Sequence, residues 1–186
     1  MSFADRLNIE VIPGGLPSVG RNAGARRAIT PYVLFIDADM ELKDRTLLRR
    51  AVAMAGRRNL HCVTTNIWCS QGTFRDQVLY FLNNLAQYGS MLVKPFSTGM
   101  FMLFERKTFE KLGGFHEGAL YAEDYLLSKK VANWRFGIVR GRIHTPNRRF
   151  RNMGHVTIVR MFLKTMLNTW NEEYFLQDHG YWRQKV

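Results

Sequence analysis

Short apolar runs alternate with stretches of helical periodicity along this sequence, and this alternation limits the possible fold more than any other feature. The clearest run is Tyr32–Ile36, which is rich in β-branched and aromatic residues and ends at Asp37. Such a run predicts a buried, parallel strand. Further strands are predicted at residues 9–12, 60–69 and 99–104 and at Phe136–Thr145. Helices between them imply an α/β fold, with a mostly parallel sheet flanked by helices on both faces.

The predicted helices begin and end at recognisable residues. Ser18 is a candidate cap for a helix over residues 18–28, and Asp44 precedes another that ends near Gly56. Asp124 stands at the start of a further helix. Long apolar faces predict helices over residues 74–93 and 154–170, and a short helix is expected at 107–112.

Length and charge narrow the class of protein. The chain has 186 residues, 46% of them hydrophobic, so residues 1–186 suit a single domain with a real core. The net charge of +12 favours anionic partners. Those partners include nucleic acid, nucleotide phosphates, lipid phosphates and anionic membrane surfaces, and charge alone does not choose among them.

The two cysteines indicate a reducing environment. Cys62 and Cys69 are seven positions apart on one predicted strand, so they should point to opposite faces of the sheet and form neither a disulfide nor a zinc site. No run approaches the roughly 20 apolar residues of a membrane span, and the start shows no apolar signal core. We therefore expect a cytoplasmic protein, soluble or associated with the inner face of the membrane.

Asp37 and Asp39 follow the strand Tyr32–Ile36 directly. Ligands of open α/β sheets bind beyond the carboxyl ends of the strands. Two carboxylates at this spacing can hold a hard cation such as Mg²⁺ or Mn²⁺ and, through it, a diphosphate. The alternative is a polar turn, but the strand before the pair favours the metal-binding interpretation.

Three other groups of polar residues are weaker signals when taken singly. Glu123 and Asp124 contain a candidate general base, although acids are also common at helix starts. His144 is either a metal ligand or a surface residue. The remaining candidates are phosphate-binding groups. Asn22 lies in a Gly-rich segment at residues 20–26, which on its own is a weak signal. Arg148 and Arg149 could bind a phosphate or simply belong to a solvated basic loop. No motif supports zinc hydrolysis or serine-hydrolase chemistry.

Taken in order, these segments resemble the inverting GT-A glycosyltransferases of family 2. The matching segments span residues 20–24, 32–39, 109–117, 123–127 and 148–154. The resemblance covers roughly residues 9–167. It implies transfer of a sugar from a nucleotide-diphosphate sugar to an acceptor hydroxyl of a lipid-linked or cell-surface saccharide. The reaction would be a metal-assisted, inverting displacement that uses Mn²⁺ or Mg²⁺.

The resemblance also assigns roles to residues. Asp37 and Asp39 would lie at the diphosphate and the metal, with Asp39 as the more direct ligand. Asp124 would be the base that deprotonates the acceptor, and Glu123 a supporting acid. The other implied assignments are donor contacts by Asn22, Arg148 and Arg149, an acceptor site lined by Thr98 and Gly99, and His144 as a further metal ligand.

One departure from the family's pattern is clear. Family members usually begin with strands that recognise the nucleotide base, and this sequence lacks them. Residues 9–12 resemble the family's third strand, so residues 9–145 would form the C-terminal part of a GT-A core with exposed strand edges. Residues 146–186 would form a helical region. The alternatives are a truncated fragment, a misplaced start codon or a rearranged fold. A neighbouring copy in a homo-oligomer could also supply the missing strands.

Two other functions remain open. One is a catalytically incompetent remnant that acts as a binding module. The other is a basic nucleic-acid-binding domain, although this sequence contains no recognised nucleic-acid-binding motif. The helices predicted at residues 74–93 and 154–170 have broad apolar faces. On the second, Thr157, Arg160 and Lys164 form a polar stripe. Each helix suits a membrane interface or, somewhat better, burial against the sheet.

Overall fold

The computed structural model describes residues 9–179. Its strands and helices alternate along the chain, which confirms the predicted α/β class. The strands are β1 Tyr32–Ile36, β2 Cys62–Cys69, β3 Phe101–Glu105 and β4 Phe136–Thr145. The helices are α1 Pro17–Arg27, α2 Leu47–Arg58, α3 Phe74–Ser90, α4 Arg106–Lys111, α5 Glu123–Ser128, α6 Arg148–Met153, α7 His155–Leu167 and α8 Glu172–Leu176.

The four strands form one sheet in the order β1-β3-β2-β4. β3 runs antiparallel to both of its neighbours, whereas β2 and β4 are parallel. Three strands therefore share one direction and β3 opposes them, so the sheet is mixed, with one parallel and two antiparallel pairs. A continuous apolar run indicates burial on both faces, which a central antiparallel strand shares with parallel strands, so the sequence did not reveal this reversal.

The prediction of a strand at residues 9–12 is wrong, because that segment forms no strand in the structure. Ile9 and Val11 are 50% and 77% exposed, and an apolar alternation without a neighbouring strand edge has nothing to pair with. Among the described residues β1 pairs only with β3, so it is an edge strand. It is less buried than predicted: only Phe35 is fully buried, and Ile36 is exposed.

Successive residues of the strands point to opposite faces of the sheet and pack into two separate cores. Val63 of β2 packs with α2, whereas Cys62 packs with Phe109 and Phe115 beneath α1, α4 and α5. Cys69 belongs to the first core, so the two cysteines do point to opposite faces. Both thiols are buried and unbridged, as expected. Burial raises the pKa of the Cys62 thiol.

Several predicted helix boundaries move. Ser18 lies inside α1, where its buried hydroxyl makes no hydrogen bond to a described residue, and Leu16 takes the capping position without a side-chain bond. Gly154, at a φ of 77°, separates α6 from α7, so the predicted helix over residues 154–170 is shorter and the basic segment before it is helical. No helix within residues 9–179 is long and apolar enough to cross a membrane.

Candidate active site

The carboxyl ends of β1 and β4 lie at the same end of the sheet because these strands share one direction. Asp37 and Asp39 follow β1, and His144 is near the end of β4. Glu41 connects the two ends: its N–H donates to the His144 carbonyl at 2.9 Å, and the His144 N–H donates to the Glu41 carbonyl at 3.0 Å. The loop that bears both aspartates is therefore fixed against β4.

Arg21 of α1 lies at the centre of the site and bonds to two carboxylates. Its Nη2 donates to Asp37 Oδ1 at 2.5 Å, and its Nη1 donates to Glu123 Oε1 at 2.6 Å. The Arg21 side chain is only 16% exposed. A Cβ atom at Gly99 would lie 2.6 Å from Nη2, so the absence of a side chain there provides the space for the guanidinium.

Glu123 and Asp124 begin α5, directly after Ala122, whose φ of 49° is unusual for a residue with a side chain. Asp124 accepts two backbone hydrogen bonds, from Gly99 N–H at 2.5 Å and from Tyr125 N–H at 2.8 Å. These bonds fix both carboxylate oxygens. The turn before α5 thus places the two acids beside Arg21.

Burial governs the electrostatics of this cluster. Desolvation, followed by the charge of Asp124, raises the pKa of Glu123 to about 7. Desolvation also raises the pKa of Asp124, with Asp37 adding to the rise and Arg21 opposing it. Burial acts to lower the pKa of Arg21, but the neighbouring carboxylates outweigh it, so its pKa is raised. A carboxyl group with a pKa near neutrality is suited to proton transfer.

Asp39 has a different partner and a more open position. Arg148 Nη2 donates to Asp39 Oδ2 at 2.8 Å, and the two side chains are 71% and 33% exposed. The structure therefore brings Arg148 to the end of β1, and its contact with the diphosphate stays a prediction. Arg149 lies near the Tyr80 and Tyr121 phenols, where its charge opposes the rise in pKa that burial causes; the pKa of Tyr80 still rises to about 12.

Asn22 and Thr98 differ in how far their side chains are engaged. The Asn22 amide donates to the Phe115 carbonyl at 2.8 Å and accepts from the Phe115 N–H at 2.9 Å. It also donates to Glu117 at 3.0 Å, so it fixes this loop. Thr98 Oγ1 is buried and has no hydrogen-bond partner among the described residues. The donor role of Asn22 and the acceptor role of Thr98 stay predictions.

His144 bonds to a hydroxyl in this structure. Its Nδ1 lies 2.5 Å from Ser70 Oγ. Burial and then the charge of Lys43 lower its pKa, which favours the neutral ring that binds metals. Within residues 9–179 no group of three or more His, Cys, Asp or Glu side chains is arranged to hold a metal ion. Membership of His144 in a metal site stays a prediction.

The sequence interpretation missed Arg21 as a site residue. The available signal was charge balance: three predicted site acids gathered at one partly buried place require a cation. Arg21 is the arginine in the Gly-rich segment already expected to face the site. Its identity as the countercharge depends on which helix packs over the end of β1, and only the fold reveals that.

The site thus has two acids after β1 and two further acids at a helix start, within an α/β fold of the GT-A type. A solved structure of this fold is similar: the mannosyltransferase PcManGT from Pyrobaculum calidifontis in complex with GDP-Man and Mn²⁺, at 21% identity and a TM-score of 0.57. The match covers 81% of this chain and 43% of that one, so this chain spans less than half of that protein.

The model of the family described as Glycosyl transferase family 2 matches residues 5–113, more than half of the chain. The protein belongs to glycosyl transferase family 2. No curated protein sequence matches it significantly. The matched segment contains Arg21, Asp37, Asp39 and Gly99, whereas Glu123 and the residues after it lie beyond it.

Proposed function

We propose that this protein transfers a sugar from a nucleotide-diphosphate sugar to the hydroxyl group of a saccharide acceptor, lipid-linked or at the cell surface, with inversion at the anomeric carbon. The observation that supports this most strongly is the position of Glu123 and Asp124. One arginine connects this acid pair to Asp37 at the end of β1. A candidate base and a candidate diphosphate site therefore share one partly buried cluster.

Asp37 and Asp39 have the donor chemistry for a divalent cation. One oxygen of each carboxylate is engaged by Arg21 or Arg148, and the other accepts no hydrogen bond from a described residue. Mg²⁺ and Mn²⁺ are commonly held by one or two carboxylates, with substrate phosphates and water completing the shell. The residues present fit that mode. A bound cation would offset charge on the departing diphosphate.

The chain's own residues supply the remaining steps. Asp124 takes the proton of the acceptor hydroxyl as that oxygen attacks the anomeric carbon and the bond to the diphosphate breaks. Glu123, with its pKa near 7, changes the negative charge next to this base when it gains or loses its proton. Arg148, at the exposed edge, pairs with the leaving phosphates in place of its present bond to Asp39.

Calorimetric titration of the chain with GDP and with UDP, with and without Mn²⁺, tests the donor site. We expect metal-dependent binding of at least one of them. Asp39→Ala should weaken that binding by about tenfold or more, which is about 1.4 kcal/mol. Asp44→Ala is the matched control, because Asp44 is another exposed aspartate paired with an arginine, Arg50, outside the site.

Two outcomes would contradict the proposal. A folded chain that binds neither nucleotide would remove the donor site and favour a binding module without catalysis. Equal binding by the Asp39→Ala variant and the parent would remove Asp39 from the metal and diphosphate assignment. If binding survives, a donor-sugar screen with saccharide acceptors measures transfer directly.

A further inference from the structure

The helices α3 and α7 lie side by side and leave an apolar face uncovered. On α3 the exposed side chains recur at spacings of four and three, and so do those that begin on α7 and continue past its end. The α3 set is Phe74, Val78, Phe81, Leu85 and Tyr88, and the α7 set is Val156, Val159, Leu163, Met166 and Trp170. We call this surface the α3–α7 face.

The two sets lie on the same side of the molecule. A groove of about 440 Å³ between the helices is lined by Phe74 and Val78 of α3 and by Val156 and Val159 of α7. Further along α7, Phe162 packs against Phe96 in the loop after α3, and their ring centroids are 6.3 Å apart. Two amphipathic helices thus form one continuous surface.

This exposure is unusual for a surface without a partner. Phe74 is 79% exposed, Phe81 62%, Leu163 52% and Trp170 77%. Apolar patches of this kind on soluble proteins mark protein or membrane contacts. Of the two alternatives for these helices, burial against the rest of the protein holds for one side of α3 and not for α7. Tyr80 and Gln87 of α3 are buried, but no residue of α7 is.

The exposed charged residues on α3 and α7 are all basic. Arg75, Lys94, Arg160 and Lys164 are exposed on α3, on α7 or in the loop after α3. The Lys94 ammonium lies 4.5 Å from the centre of the Trp170 ring. The single acid on the two helices, Asp76, is buried and bonded to His155 at 2.6 Å. Its charge is therefore not displayed to a partner.

We propose that the α3–α7 face binds the surface of an anionic lipid bilayer, with the apolar residues in the headgroup region and the four cations against lipid phosphates. This combination of an apolar stripe and flanking Lys or Arg is the signature of an interfacial helix. A symmetric contact with a second copy would place like charges opposite one another, which disfavours that occupant. The proposal goes beyond sugar transfer and does not depend on it.

Co-sedimentation with vesicles tests the proposal. The probes are vesicles of phosphatidylcholine alone and vesicles of equal parts phosphatidylcholine and phosphatidylglycerol. We expect binding to the anionic vesicles that falls as salt rises, and little binding to the neutral ones. Absence of binding to the anionic vesicles by the folded chain would overturn the proposal.

Paired variants locate the surface. Leu163→Ser should weaken partitioning about tenfold, whereas Leu48→Ser, on the exposed side of α2, should leave it unchanged. The double variant Arg160→Ala/Lys164→Ala should also lose about tenfold. Its control, Arg57→Ala/Arg58→Ala, removes the same charge from α2 and should change partitioning by less than about threefold. Equal losses in a variant and its control would overturn the assignment of the face.

A further measurement separates the membrane from a protein partner. Sedimentation velocity without lipid should show a monomer for the parent and for Leu163→Ser. A dimer that Leu163→Ser dissociates would assign the face to a second copy and would also overturn the proposal. Nucleotide titration of Leu163→Ser should match the parent, so failure of the membrane proposal is distinguishable from failure of the donor site.

Discussion

The two acidic pairs of the candidate site differ in burial and in partners. Glu123 and Asp124 lie inside the cluster, and the Glu123 side chain is only 8% exposed. Asp37 and Asp39 are 30% and 33% exposed at the end of β1. Asp37 faces the buried Arg21, whereas Asp39 faces the open Arg148. The inner pair has a raised pKa, and the outer pair keeps oxygens free for a ligand.

This difference separates two chemical tasks within one cluster. A buried carboxyl with a raised pKa can exchange a proton near neutral pH, whereas an exposed carboxylate remains charged and attracts cations. Arg21 holds the two pairs together because it bonds to one member of each. Substitutions on either side of this division should therefore have different effects on activity and on stability.

The largest effect is expected from Asp124→Asn. Removal of the proposed base should reduce the proposed transfer by about 10²- to 10⁴-fold. Nucleotide binding should persist because Asp37 and Asp39 are intact. A steady-state transfer assay and a calorimetric titration of the same sample check the two halves of this prediction.

Asp44→Asn is the control for this substitution. Asp44 also accepts a backbone hydrogen bond, from Thr46 at 2.8 Å just before a helix, but it lies outside the cluster. It should therefore keep full activity. Undiminished transfer by Asp124→Asn would remove Asp124 from the base role and leave Glu123 as the candidate.

Arg21→Ala should cause the largest loss of stability. It leaves three acids, Asp37, Glu123 and Asp124, without their shared cation, and unpairing a buried charge costs about 3–5 kcal/mol. Urea unfolding at pH 7 measures the change. The loss should shrink at pH 5, where more of these carboxyl groups are protonated. Arg21→Lys keeps the charge but cannot donate from two separate nitrogens, so it should lose less stability. Equal stability of the parent and both variants would show that Arg21 does not bridge the acids.

Glu123 should give stability a pH dependence of a definite sign. Its pKa is 4.5 in the unfolded chain and about 7 in the folded protein, so the folded state binds the proton more tightly. The stability from this group is fully present below pH 4.5 and is lost as pH rises through 7. The loss reaches about 3 kcal/mol. In Glu123→Gln the difference between pH 5 and pH 8 should shrink by most of this amount, because part of the loss lies below pH 5. Identical differences in the two proteins would show that Glu123 titrates normally.

The outer pair could be predicted from the sequence, whereas its connection to the inner pair could not. Tyr32–Ile36 is a run of apolar residues followed at once by Asp37, and strand ends bind ligands in this class of sheet. The position of Arg21 next to Glu123 joins residues 102 positions apart. Periodicity reports only local structure, so no local pattern contains that contact.

The errors in the predicted fold have the same cause. Residues 9–12 have the alternation of a strand, but no strand edge accepts them. β3 has the composition of its neighbours but the opposite direction. The α3 and α7 helices were predicted from broad apolar faces, which are present. Which part of each face is covered depends on the packing of distant segments.

The smallest stability effect is expected from Arg148→Ala, at the outer pair. Its bond to Asp39 joins side chains that are 71% and 33% exposed, so its loss should change the free energy of unfolding by less than about 1 kcal/mol. Arg27→Ala, which breaks the 3.2 Å pair between the exposed Arg27 and Glu10, is the matched control for stability. The two variants should differ in nucleotide binding: only Arg148→Ala should weaken it, and the loss should diminish at high salt. If Arg148→Ala instead destabilised the protein as much as Arg21→Ala, the outer pair would contribute as much to stability as the inner pair. The assignment of different tasks to the two pairs would then be wrong.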